Sequence, residues 1–138
     1  MIVADTGAIV ALIDADDRHH RALRALFERD PPVWVLPWAV LPEVDYLVAT
    51  HVGARAAEAF LADLAGGVFR VEWGEDADLE RAFEIARRYR SLALGLVDSV
   101  VLAVAERLRA EAIATLDLRH FAAVAIRPKP RLLPRDIT

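Results

Sequence analysis

Cysteine is absent from the chain, which excludes disulfides and thiolate metal sites and is compatible with a reducing cytoplasm, the expected location. Lysine is nearly absent too: Lys129 is the single one, so positive charge is carried by arginine. No stretch reaches the ~20 apolar residues of a membrane span. The longest apolar run, Leu92 to Ala105, is broken by Asp98 and Ser99. The N-terminus carries neither the basic segment nor the long apolar core of a secretory signal, so a soluble protein with no membrane partner is expected. Neither an internal repeat nor a low-complexity tract is present, and 138 residues make one domain, 1–138, large enough for a real core. A formal net charge of −4 argues against coating nucleic acid by bulk charge, although arginine forks phosphate with two donors wherever it clusters.

What is present is 56% hydrophobic residues arranged in alternating strand and helix patterns. Ile2–Ala4, Val33–Leu36 and Ala112–Leu116 read as short buried strands. Val68–Trp73 alternates as a half-exposed strand or an extended connection, and Val124–Ile126 as an edge strand. Between them run helical patterns at Ala8–Ile13, around Leu23–Phe27, at Trp38–Val52 and Ala54–Leu64, from Asp76 to Arg90, and at Val97–Arg109. Gly53 joins two of these as an antiparallel pair. The helix opened by Asp76 is expected to bury Leu79, Ala82, Phe83, Ala86 and Tyr89. The proline-rich tail from Pro128 is expected to carry no core.

Acids stand where strands end. Asp5 follows Ile2–Ala4 and Asp117 follows the last buried strand, so parallel strands would bring both to the ligand-binding edge of an α/β sheet. The competing account of Asp5 is a helix cap. Asp98 shares a helix face with Val101, Leu102 and Ala105, where an unpaired carboxylate is costly unless hydrogen-bonded, protonated or bound to a cation. Because helices of such a fold begin at the same edge, Asp98 converges with the other two. Carboxylates gathered without histidine or cysteine partners suit a hard ion such as Mg²⁺ or Mn²⁺. Glu43 and Asp45 flank the apolar stripe of their helix, and periodicity does not choose between them. His19 and His20 point about 100° apart on a helix and cannot serve one metal as a pair.

Four fragments in order resemble PIN domains, and more narrowly the VapC toxins of toxin–antitoxin pairs: Val-Ala-Asp-Thr-Gly-Ala at the start, Pro42–Val44, Leu96–Ala103 and Ala114–Phe121. The resemblance implies a three-layer α/β/α sandwich with a central parallel sheet, and a ribonuclease that holds Mg²⁺ or Mn²⁺ in an acidic quartet. By motif the quartet is Asp5, Glu43, Asp98 and Asp117, which selects Glu43 over Asp45. Thr6 and Thr115 would orient carboxylates or water from behind. Gly7 departs from the pattern, standing where many relatives carry a second small hydroxyl residue. Implied partners are RNA, an antitoxin protein docked near Leu47 and Phe60, and a second copy of the chain. Arg119 and His120 are within reach of phosphate or are ordinary surface residues.

Three other readings fit less well or add less. A phosphoacceptor receiver domain needs a lysine at a late strand end, and Lys129 lies between two prolines near the tail. A phosphatase with an aspartate nucleophile usually shows a second acid two residues on, where this chain has Gly7. The last alternative is a PIN-like module that binds without turnover.

Overall fold

A computed structural model describes residues 1–137. Five strands, β1 (Ile2–Ala4), β2 (Trp34–Pro37), β3 (Arg70–Glu72), β4 (Ala112–Ala114) and β5 (Arg131–Leu133), form one sheet in the order β3-β2-β1-β4-β5. Every pairing is parallel. The chain therefore winds outward from β1 in both directions, and right-handed crossovers place helices on both faces. The helices are α1 (Thr6–Ile13), α2 (His20–Arg29), α3 (Leu41–His51), α4 (Ala54–Ala65), α5 (Asp76–Arg88), α6 (Leu96–Arg107) and α7 (Leu118–Ala123).

Burial follows from this order. The central strands β1, β2 and β4 are wholly buried, and they are the near-continuous apolar runs that a covered parallel sheet requires. Helix α6 packs on β1 and β2 and buries every residue from Ser99 to Ala105, while α5 packs on α6. Gly53 takes φ 140° between α3 and α4, a backbone conformation that a side chain would strain. Pro31 and Pro32 lead into β2 as a single 3₁₀ turn, so the strand starts at Trp34.

Three expectations are overturned. Helix α5 buries Asp78, Ala82 and Ile85, leaving Leu79 and Phe83 exposed at 49% and 66%. Charge pairing sets this rotation: Asp78 is locked to Arg107 of α6 at 2.7 Å, and Arg81 to Glu106 of α6 at 2.6 Å. Neither pair forms if the Leu79–Phe83 stripe faces inward. The tail does carry core: β5 adds Leu132 and Leu133, both nearly inaccessible, to the sheet edge beside β4. Prolines flank that strand without interrupting its ladder, as they do at edge strands generally. Val124 and Ile126 are buried but form no strand. The Val68–Trp73 segment resolves into the edge strand β3.

Candidate metal centre

In a 3-2-1-4-5 sheet the crossovers diverge between β1 and β4, and the crevice outside the carboxyl ends of those strands is the natural ligand site. Asp5 is the first residue past β1. Its N–H donates to the Ala114 carbonyl at 2.8 Å, which prolongs the β1–β4 ladder to the crevice and fixes the direction of its side chain. Thr115 N–H donates to the Leu133 carbonyl at 2.9 Å and does the same for β4. Asp98 stands in the first turn of α6, whose N-terminus opens at this edge. Asp117 caps α7, accepting from the His120 backbone N–H at 3.2 Å.

One hydroxyl ties two of these acids together. Thr115 Oγ1 donates to Asp5 Oδ2 at 3.0 Å and accepts from the Asp117 backbone N–H at 3.0 Å. His120 ties another two: its Nδ1 donates to Asp98 Oδ2 at 2.7 Å and lies 3.1 Å from Asp117 Oδ2. Asp98, Asp117 and His120 each offer a ligand atom within 4.8 Å of the others. Asp5 and Glu43 lie outside that tight group. Asp5 is buried beside it, and Glu43 is exposed but near enough for its charge to act on Asp98. Asp45 instead lines an apolar cavity with Phe60 and Trp73. Arg119 is exposed, and Thr6 is buried next to Asp5.

The electrostatics are those of an uncompensated site. Burial pushes the Asp5 carboxyl up to about 6, and the charges of Asp98 and Asp117 add to the effect, against hydrogen bonds from the Thr6 backbone and the Thr115 hydroxyl. Asp98 is raised as well, by burial first and then by Asp117 and Glu43, with His120 opposing. Among the described residues no arginine or lysine pairs with any of these acids. The buried hydroxyls of Thr6 and Ser99 have no hydrogen-bond partner, and each adjoins an acid of the cluster in sequence. Orphaned oxygens beside carboxylates that resist ionisation form a donor set suited to a hard divalent cation such as Mg²⁺ or Mn²⁺. The residues fit such an ion.

From the sequence alone His120 stands out only as a possible phosphate contact. Its local signal is an acid at a helix cap followed three residues later by a histidine on a short helix, which returns the ring to the capping carboxylate.

Fold and site together define a class: a parallel α/β domain that collects acids from β1, β4 and α6 at the point where its sheet switches direction. The PIN domain profile matches residues 2–127, and the chain belongs to the PIN domain family. Ribonuclease VapC26 of Mycobacterium tuberculosis is 36% identical over 123 residues, covering 89% of this chain and 91% of that protein. The crystal structure of VapC20 from the same organism, described as a sarcin-ricin loop cleaving toxin, superposes with TM-score 0.79 at 29% identity. It covers 89% of this chain and 95% of that one. A toxin–antitoxin complex from Klebsiella pneumoniae shares the fold with TM-score 0.69 at 20% identity, over 89% of this chain and 92% of that one. Among the described residues no helix is long and apolar enough to cross a membrane.

Proposed function

We propose that the protein is a metal-dependent endoribonuclease, the cytoplasmic toxin half of a VapBC-type pair, with Asp5, Glu43, Asp98 and Asp117 as its catalytic acids and metal ligands. The observation that carries this reading is the convergence of Asp5, Asp98 and Asp117 at one sheet edge with no Arg or Lys to neutralise them among the described residues. When bound there, Mg²⁺ or Mn²⁺ lowers the pKa of a water and offsets charge on the phosphoryl oxygens. The chain's own residues do the rest. Thr115 holds the Asp5 carboxylate and the Asp117 backbone in fixed register, so neither has to reorganise when RNA arrives. His120 sets its Nδ1 between Asp98 and Asp117, at 2.7 and 3.1 Å, and so links the two carboxylates. Thr6, next to Asp5 in sequence, brings a buried hydroxyl with no partner of its own.

The proposed antitoxin occupies the apolar groove of about 420 Å³ between α3, α4 and β3, lined by Leu41, Phe60, Leu61, Leu64 and Trp73. Leu47, expected beside Phe60 at that surface, does not line the groove. The exposed stripe of Leu79, Phe83 and Leu96 offers a second apolar face, suited to a homodimer. Incubation of total RNA with the protein and Mg²⁺ tests the central reading. Cleavage is expected that EDTA stops and that Asp5→Asn reduces by more than about 100-fold. Full cleavage in excess EDTA would exclude it.

A further inference from the structure

A nuclease of net charge −4 whose site is a knot of acids must hold its polyanionic substrate by some local cation. Residues 115–118 show where. Thr115 and Asp117 turn toward the acids, as their bonds to Asp5 and His120 establish. Leu116 and Leu118 line a cavity of about 350 Å³, together with Thr115, Pro134 and the basic side chains of Arg18, His19 and Arg135. Thr115, bonded to Asp5, is thus shared between the acidic crevice and a cavity with an apolar floor and a basic rim.

The basic groups are not equivalent. Arg135 is held by Asp136 at 2.7 and 2.9 Å, so its charge is largely answered. Arg18 is exposed and makes no ion pair among the described residues; its Nε donates to His19 Nε2 at 3.2 Å, which leaves both terminal nitrogens open. His19 is in turn fixed by its backbone N–H, which donates to Asp17 Oδ1 at 2.7 Å. The α1–α2 connection therefore presents a braced guanidinium beside an imidazole face. Guanidinium forks grip phosphate, and imidazole and guanidinium planes stack on unpaired bases.

We infer that this cavity is a subsite for the RNA nucleotide next to the scissile phosphate, with Arg18 on its phosphate and its base against His19, Leu118 and Pro134. The inference rests on the ribonuclease reading and names how that site holds its substrate. Arg18 is a substrate-binding residue in this account.

The test compares Arg18→Gln with Arg55→Gln, which removes the same charge from an exposed site on α4. In Mg²⁺, Arg18→Gln is expected to raise KM for RNA cleavage roughly tenfold, and to raise it much more than it lowers kcat. In an Asp5→Asn background that binds without cutting, a labelled oligouridylate should lose the same factor in affinity. The slope of log affinity against log salt should fall by about 0.7, the value of one single-strand phosphate contact. Arg18→Lys should keep the slope and recover part of the affinity. Identical KM, affinity and salt slope for Arg18→Gln and Arg55→Gln would overturn the subsite while leaving the nuclease reading intact. Arg18-dependent binding in a protein that cleaves no RNA would do the reverse.

Discussion

The molecule gathers carboxylates twice, and the two gatherings are opposites. At the junction of β3, α5 and α6, Glu72, Glu75 and Asp78 surround Arg107 at 2.8, 3.6 and 2.7 Å. Asp78 is almost wholly buried there and receives two guanidinium bonds, and the Arg107 charge is held more firmly than in water. At the β1–β4 switch point, Asp5, Asp98 and Asp117 have Thr115 and His120 in place of any arginine, and burial makes two of the three harder to ionise. The first cluster is complete in itself and ties helices together. The second has no internal arginine or lysine to answer it among the described residues, and that imbalance is what marks it as a candidate site.

The largest way to break the contrast is to remove the internal cation. Arg107→Ala strands the buried Asp78 and is expected to cost about 3 kcal/mol of folding free energy, read from urea unfolding, with the metal affinity of the folded protein unchanged. A loss well under that value would mean that the clamp contributes little.

The acidic site should respond with the opposite sign when one of its own charges is removed. The Asp5 carboxyl rises from 3.8 to about 6 on folding. Below pH ~4 it is protonated in both states, and folding is not penalised. Between those values folding takes up a proton, so stability falls as pH rises, and above about 6 the full cost of roughly 3 kcal/mol is in place. Metal-free protein is therefore expected to lose thermal stability from pH 4.5 to 7.5, and Asp5→Asn to flatten that fall. Scanning calorimetry in EDTA checks it; equal slopes for both proteins would contradict the assignment. A smaller effect is expected from Thr115→Val, which frees Asp5 and the Asp117 backbone and should weaken Mn²⁺ binding about 10- to 100-fold, with Thr115→Ser restoring most of it.

The same contrast explains what is legible in the sequence. The strands β1, β2 and β4 stand out because wholly buried strands are apolar throughout, Asp5 because it ends such a strand, and Asp98 because it interrupts the apolar run of helix α6. The internal clamp is invisible at that level. Asp78 looks like one more acid in a helix's first turn, and only its partner in α6 shows why α5 turns Ile85 inward and Phe83 outward. Strand β5 is hidden by its flanking prolines, which at an edge need not break a ladder. Periodicity sees one helix at a time, whereas pairs between helices decide which of two apolar stripes is buried.

Mn²⁺ binding to metal-free protein at pH 7.5, followed by calorimetry in wild type and in Asp98→Asn, tests the uncompensated cluster most directly. Saturable binding that is lost in the variant, while Glu72→Gln at the clamp binds as wild type does, is the expected result. Mn²⁺ that binds Asp98→Asn as tightly as wild type, or binds neither, would contradict it.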